Sequence, residues 1–266
     1  MLRRTAQPLR PPARTSRRQA GVTLTELLVG TTVGALVLIG ISSTYLLGAR
    51  ATTQNVQQAR LQQELRAVLE LMQQDIRRAG YWAFPSGAAS NAADNPFQRT
   101  IAGFNTDLRT GAVSGETTAS CLLYSYDMDD NGKVGCGICS PEGEALLDGS
   151  NVEMFGFRLR NGAIELRIRK DGSDDTFDCA SGSGRWERLT DDRNVRITTL
   201  SFDIPTTTLN LNPSKDSADP CSTGDICRTS RSVDITLIGE LKNSPDVQLR
   251  LDGTAAVRND RYFHQD

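Results

Sequence analysis

One apolar segment near the N-terminus constrains this chain more than any other feature. Residues 22–47 contain thirteen Leu, Ile or Val side chains and a single charged residue, Glu26. About 20 apolar residues in a helix are enough to span a bilayer. The cost of one charge is smaller than the summed gain from these side chains. The segment therefore predicts a membrane-spanning helix.

The basic residues around this segment predict its orientation. Residues 1–21 contain six arginines and no acidic residue, whereas only Arg50 follows the segment closely. The positive-inside rule then places the N-terminus in the cytoplasm and the rest of the chain outside. The alternative is a secretory signal peptide with a cleavage site at residues 49–51. It fits less well, because signal-peptide apolar regions are about 7–15 residues long.

The helix is predicted to continue well beyond the apolar segment. No proline occurs between Pro12 and Pro85, and residues 51–79 are rich in strong helix formers. Apolar residues recur there every three or four positions, which places them on one helix face. They are Leu61, Leu65, Val68, Met72, Ile76 and Ala79. With Gly80 as the stop signal, the pattern predicts a helix over residues 22–79 whose second half is amphipathic.

The remaining residues predict an antiparallel sheet on which the apolar stripe packs. Strands are expected at residues 120–126, 153–160, 163–169, 195–204, 233–241 and 247–257. Asn161-Gly162 is a strong hairpin signal between the second and third of these. Residues 85–119 lack steady periodicity and predict an extended surface loop with short elements. The fold class is therefore α+β, a long helix on an antiparallel β-sheet domain with long loops.

A specific resemblance appears where the basic leader ends. Residues 21–26, Gly-Val-Thr-Leu-Thr-Glu, resemble the signature of type IV prepilins. The resemblance implies cleavage between Gly21 and Val22 by prepilin peptidase and N-methylation of Val22. It also implies a role in assembly for Glu26, which would pair with the terminal amine of a neighbouring subunit. The alternative is that Glu26 only reaches the lipid headgroups.

A second stretch resembles the PilW-type minor pilins. Residues 75–82, at the end of the predicted helix, read Asp-Ile-Arg-Arg-Ala-Gly-Tyr-Trp. The resemblance implies a structural subunit, not an enzyme, that initiates or caps a type IV pilus and supports its assembly. The chain would divide into a cleaved leader (1–21), a transmembrane half-helix (22–50), an amphipathic half-helix (51–80) and a periplasmic or extracellular β-rich domain (81–266).

The same resemblance implies partners and a location. The partners would be other major and minor pilins, prepilin peptidase, the inner-membrane assembly platform and, before assembly, the lipid bilayer. The protein would lie in the inner membrane first and then in the pilus at the cell surface, where pili serve cell adhesion and twitching motility. The alternatives are a type II secretion pseudopilin and a membrane-tethered binding domain that never polymerises.

Composition narrows the remaining function classes. The one histidine, His264, is the third residue from the C-terminal end of the sequence, which disfavours His-based catalysis. The formal net charge is −2, and the basic leader has no interleaved aromatic residues, so no nucleic acid is expected as a partner.

Six cysteines predict disulfides and an oxidising compartment. They are Cys121, Cys136, Cys139, Cys179, Cys221 and Cys227. Cys221 and Cys227 are the closest candidates for a local pair, and the other four allow three pairings. Cys136-Gly-Ile-Cys139 also has the spacing of a redox or zinc motif, but neither context is visible in the sequence.

Residues 127–133 match the first half of a calcium loop. Asp127, Asp129 and Asn131 occupy positions 1, 3 and 5, and Gly132 occupies position 6. Position 12 is Ile138, so an ion would need Glu142, Glu144 or a more distant carboxylate. The alternative is a solvated Asp-rich turn. No other cofactor is expected.

Overall fold

A computed structural model of the chain describes residues 21–83, 92–101, 103–135, 146–149, 152–169, 176–180, 184–191 and 193–265. The chain divides into two compact units, the first ending at Gln54 and the second beginning at Asn55. A single helix, α1 (Leu24–Ile76), contributes its first part to the first unit and its last part to the second.

Helix α1 is slightly shorter at both ends than predicted. It begins at Leu24 because Thr23 serves as its N-cap residue, and it ends at Ile76 in a tighter turn. In that turn the Arg78 and Ala79 N–H groups donate to carbonyls three residues back. Gly80 then has φ of +73°, and its N–H donates to Ser125 O at 2.8 Å. This left-handed conformation is one that glycine adopts without strain.

The described part of the second unit contains fourteen strands and two short 3₁₀ helices. The 3₁₀ helices are Ala92–Asp94 and Pro96–Gln98. The strands are β1 (Thr100–Ile101), β2 (Phe104–Asn105), β3 (Arg109–Gly111), β4 (Cys121–Ser125), β5 (Val134–Gly135), β6 (Leu147–Asp148), β7 (Met154–Arg160), β8 (Ala163–Arg169), β9 (Arg185–Arg188), β10 (Val195–Asp203), β11 (Thr206–Asn210), β12 (Ile226–Leu241), β13 (Ser244–Ala256) and β14 (Arg261–His264).

Five of these strands form one antiparallel sheet in the order β3-β4-β7-β8-β9. Its β7–β8 hairpin turns at Asn161 and Gly162, whose φ values are 52° and 75°. Two successive positive φ values are what a type I′ turn requires, and Asn-Gly is a preferred pair for it. The predicted hairpin is confirmed, with Arg160 paired to Ala163.

A second five-stranded sheet is built around the long strand β12. The C-terminal part of β12 pairs with β10 on one side and β13 on the other, and its N-terminal part pairs with β11 and β14. All these pairings are antiparallel. The small β1–β2 pair is also antiparallel, whereas β5 and β6 pair in parallel.

The prediction for β12 was too short. It began the strand at residue 233, whereas the strand begins at Ile226. Two of the inward-facing residues in the first part are polar, Thr229 and Arg231, so the apolar alternation is lost there although both are buried. Arg231 tolerates burial because its guanidinium forms an ion pair with Asp107.

The apolar stripe of α1 lies in the main core. All six predicted stripe residues are at most 6% exposed. They pack in one cluster with inward-facing residues of both sheets, among them Phe157, Ile197 and Leu237. The helix on antiparallel sheets confirms the predicted α+β fold.

The predicted short elements over residues 85–119 are present in the described part, but the predicted surface position is wrong for several of their apolar residues. Phe97, Ile101 and Phe104 are at most 7% exposed and belong to a second apolar cluster. Their apolar positions are too irregularly spaced to show a period, because short 3₁₀ helices and two-residue strands place them one at a time.

Candidate functional site

The predicted processing site lies just before α1 begins. Gly21, Val22 and Thr23 are non-helical and exposed, and Val22 is 72% exposed. A Cβ placed on Gly21 would meet no atom within 4 Å. In the described part of the chain, therefore, nothing hinders access to the peptide bond between Gly21 and Val22.

Glu26 closes the first turn of α1 through a reciprocal pair of contacts with Thr23. The Thr23 N–H and hydroxyl donate to Glu26 Oε2 at 3.1 and 3.0 Å. In return the Glu26 N–H donates to Thr23 Oγ1 at 3.3 Å. This is a capping box, which satisfies backbone N–H groups that a helix start leaves unpaired. The cap was not predicted, although Thr-Leu-Thr-Glu has the Ser/Thr-x-x-Glu pattern that signals it.

The rest of the N-terminal half of α1 presents an apolar surface. Large apolar side chains from Val22 to Leu47 are between 54% and 79% exposed. Their remaining surface is covered by neighbouring residues of α1. By length and composition α1 can cross a membrane. A surface this apolar is stable only against lipid or other apolar helices.

Four hydroxyl groups in this half of α1 donate to backbone carbonyls of the helix itself. Thr31 and Thr32 donate to Leu28 O, and Ser43 donates to Ile39 O at 2.8 Å. Thr44 likewise donates to Gly40 O at 3.1 Å. These intrahelical bonds remove the penalty for placing hydroxyls in a medium without water.

Two disulfides cross-link the described part of the second unit. Cys221 is bonded to Cys227, and Cys121 to Cys179. The second bond is one of the three pairings that the sequence left open, and it joins β4 to a segment 58 residues further along the chain. Cys136 and Cys139 lie outside the described residues.

The calcium-like loop brings two of its predicted residues, Asp127 and Asp129, together with a more distant carboxylate, that of Glu153. Carboxylate oxygens of Asp127, Asp129 and Glu153 lie within 4.8 Å of one another. Asn131 Oδ1 accepts from the Lys133 N–H at 2.7 Å, and the Asn131 amide nitrogen donates to Asp129 and Asp148. Glu142 and Glu144 lie outside the described residues. Glu153, next to the start of β7, could not be assigned to the loop from sequence spacing.

Backbone N–H groups already occupy the two buried carboxylates of this cluster. Glu153 accepts from the N–H groups of Met128, Asp129 and Gly135, and Asp127 accepts from those of Ala83, Asn131 and Gly132. Burial raises the pKa of Glu153 to about 7, which lowers its negative charge near neutral pH. An ion would have to share these carboxylate oxygens with the N–H donors, so the contacts favour the alternative interpretation of an Asp-rich turn.

Comparisons with known proteins support the interpretation of the N-terminal segment. A model of the family "prepilin peptidase-dependent protein B" matches residues 54–257. A model of the "prokaryotic N-terminal methylation motif" matches residues 16–42, which include Gly21, Val22 and Glu26. No solved structure matches the chain.

A protein of Haemophilus influenzae, described as an uncharacterized protein, is 27% identical over 164 residues. The match covers 54% of this chain and 65% of that protein, slightly under two thirds of its length. The family assignment therefore depends on the two family models. Because the first of them spans well over half of the chain, this type IV pilin-like protein belongs to the prepilin peptidase-dependent protein B family.

Proposed function

We propose that this protein is a minor pilin of the PilW type, a structural subunit that initiates or caps a type IV pilus. Prepilin peptidase cleaves it between Gly21 and Val22, and Val22 is N-methylated. Before assembly it crosses the inner membrane once, with its N-terminus in the cytoplasm. It then joins other major and minor pilins through the assembly platform and reaches the cell surface, where it contributes to adhesion and twitching motility.

The observation that carries this proposal is the N-terminal methylation motif directly preceding an exposed apolar helix. The motif covers residues 16–42, and none of the described residues obstructs the bond after Gly21. The apolar side chains that follow need lipid before assembly and neighbouring helices after it. An assembled bundle of such helices would bury the same surface that a membrane covers.

Processing is tested by mass spectrometry of the mature N-terminus. We expect a chain that begins at methylated Val22 in cells with an active prepilin peptidase and a full-length chain in cells without it. Recovery of the unprocessed chain from both strains would overturn the proposal.

Glu26 has two separable roles in this proposal, as a capping group and as a charge. The carboxylate caps the helix start through Thr23 and pairs with the terminal amine of a neighbouring subunit during assembly. A capping box accepts Gln as well as Glu, so Glu26→Gln keeps the cap and removes the charge. Thr23→Val does the reverse, because it removes the capping hydroxyl and leaves the carboxylate.

We expect Glu26→Gln and Glu26→Ala to lower incorporation into pili about equally, by roughly tenfold or more, because each loses an ion pair in a non-aqueous bundle. Thr23→Val should remain near the wild-type level. The measurement is the ratio of the protein in sheared pili to that in the membrane fraction. Normal incorporation of Glu26→Gln would show that the charge has no role in assembly.

The same fractionation separates the alternatives. A pilus subunit is found in the sheared pili, and its deletion lowers the number of pili. Recovery with a type II secretion apparatus instead would identify a pseudopilin. Retention of processed protein in the membrane, in cells that make normal pili without it, would identify a tethered domain.

A further inference from the structure

Three arginines line a cavity of about 340 Å³ in the second unit, at the C-terminal end of α1. Arg77 and Arg78 directly follow the helix, and Arg258 lies between β13 and β14. Gln74, Tyr81 and Asn259 complete the lining. Neither the family nor the proposed function assigns a role to this cavity.

Backbone contacts hold the two arginine-bearing segments together. The Arg258 N–H donates to Arg77 O at 3.1 Å. The Asn259 side-chain amide donates to Arg78 O at 3.2 Å and to Ala79 O at 3.1 Å. These bonds satisfy carbonyls just past the end of α1, where basic side chains often act as caps. The guanidinium groups are therefore not needed for that purpose.

The charge in this cavity is poorly balanced. Among the residues that the structure describes, Arg77 and Arg258 form no ion pair, and both are exposed. The Arg78 guanidinium carbon lies over the Tyr126 ring, 5.8 Å from its centroid, and the guanidinium is attracted by the negative charge of Asp75. Asp130 accepts a hydrogen bond at 3.1 Å from the hydroxyl of Tyr81, one of the lining residues. Within the described ranges, two of the three guanidinium groups thus have no anionic partner.

We infer that this cavity binds a phosphate-type oxyanion. A guanidinium group presents paired N–H donors that match two oxygens of a phosphate, and Arg77 and Arg258 approach from different segments. A tetrahedral anion with three or four oxygens can accept from both at once, whereas a carboxylate has only two oxygens. The cavity volume leaves room for a phosphate group with a small attached moiety.

The test uses the full chain in neutral detergent micelles, titrated with inorganic phosphate and followed by calorimetry. We expect saturable binding that weakens as sodium chloride is added. Arg77→Gln and Arg258→Gln should each weaken binding roughly tenfold, since each removes a charge-assisted contact. Arg66→Gln is the matched control, because Arg66 is an exposed arginine on the same helix outside the cavity.

Two results would overturn the inference. One is no saturable binding at tens of millimolar phosphate by a chain with a normal unfolding transition. The other is an equal loss of binding in Arg66→Gln. Acetate as the competing anion tests the chemistry, and acetate binding as tight as phosphate would exclude a phosphate-type site.

A further pair of measurements identifies the source of the phosphate group. The full chain is placed in nanodiscs of phosphatidylglycerol or of phosphatidylcholine and titrated again with phosphate. Loss of phosphate binding only in phosphatidylglycerol indicates that a lipid headgroup occupies the cavity. Equal binding in both lipids indicates a soluble phosphate compound. Both outcomes support the site, and absence of binding in both lipids and in detergent overturns it.

Discussion

Gly80 is the residue on which the path of the chain after α1 depends most directly. Its φ of +73° turns the backbone out of the helix, and its N–H and carbonyl bond to residues of other segments. A Cβ at this position would collide with the side-chain amide of Gln98. That amide donates to Gly80 O at 3.4 Å and to Asn259 O at 3.2 Å.

We expect Gly80→Ala to lower the free energy of unfolding by roughly 2–4 kcal/mol. The left-handed conformation alone costs an L-residue about 1–2 kcal/mol, and displacement of Gln98 removes buried hydrogen bonds in addition. Gly115→Ala is the control, because Gly115 has φ of +89° but open space where a Cβ would lie. Gly115→Ala should lower the free energy of unfolding by about 1–2 kcal/mol. Equal losses in denaturant unfolding would show that the Gln98 contact is unimportant.

Asp225 gives the second unit a specific sensitivity to acid. Hydrogen bonds from Asn212, Lys215 and the Ser222 N–H hold the pKa of Asp225 well below its ordinary value of 3.8. A carboxyl group whose folded-state pKa is lowered stabilises the fold above its unfolded pKa, and this contribution is lost as the pH falls further. The loop over residues 211–225 should therefore weaken below pH 3.8.

The comparison of wild type with Asp225→Asn isolates this contribution. We expect the wild type to have the higher unfolding midpoint at neutral pH, because the variant loses the charged acceptor. The difference should shrink as the pH falls below 3.8, since the unfolded chain then binds a proton at Asp225 that the folded chain resists. Asp246→Asn, at an exposed position on β13, should show little difference at either pH. A difference for Asp225→Asn that stays constant with pH would contradict this account.

At the scale of single elements, helix α1 carries leucines within its buried apolar stripe and leucines outside it, which can be compared directly. Leu65 is fully buried, and its methyl groups lie against Gly239 of β12, whereas Leu71 is 42% exposed. Removal of a buried leucine side chain costs transfer free energy and leaves a cavity, together roughly 2–5 kcal/mol. Both substitutions keep helix propensity high, because alanine is the strongest helix former.

We therefore expect Leu65→Ala to lower the free energy of unfolding by roughly 2–5 kcal/mol and Leu71→Ala by less than about 1 kcal/mol. Equilibrium unfolding in denaturant, followed by tryptophan fluorescence, measures both. Similar losses for the two variants would mean that the stripe does not face the core.

The elements that the sequence predicted well are those with a sustained period. The stripe from Leu61 to Ala79 and the alternation at Val233, Ile235 and Leu237 each reflect a single buried face, so local spacing is sufficient. The two-residue strands β1, β2, β5 and β6 are too short to show a period. They exist because other segments position their partners, which is information that a local pattern does not contain.

The candidate sites also divide into those that local sequence reveals and those that only the fold assembles. The Gly21-to-Glu26 segment could be recognised because its residues are consecutive, and the capping box within it was equally readable. Glu153 joins Asp127 and Asp129 only through the fold, and so does Arg258 beside Arg77. The Cys121–Cys179 bond also depends on the fold, and the sequence could not identify it because six cysteines permit many connectivities.

At the scale of the whole molecule, the two units depend on different sources of stability. In the described part of the first unit the apolar side chains of α1 are exposed, and their surroundings must supply the contacts that they lack. The second unit contains both apolar clusters and both disulfides of the described residues. Oxidising or reducing conditions should therefore affect the second unit alone.

The two disulfides should contribute unequally, because they close loops of very different length. In the chain-entropy account, a cross-link stabilises by restricting the unfolded chain, and its effect grows with the logarithm of the loop length. The Cys121–Cys179 bond spans 58 residues and the Cys221–Cys227 bond spans 6. For these loop lengths, the expected contributions to the free energy of unfolding are roughly 4 kcal/mol for the long loop and roughly 2 kcal/mol for the short one.

We expect Cys121→Ala with Cys179→Ala to lower the free energy of unfolding by about twice as much as Cys221→Ala with Cys227→Ala. Because Cys121 and Cys179 are both buried in the second apolar cluster, the loss of their sulfur atoms adds to the larger effect. Denaturant unfolding of each double variant measures the difference. A larger loss from the short-loop pair would mean that folded-state contacts around residues 210–227, and not restriction of the unfolded chain, determine the contribution of that bond.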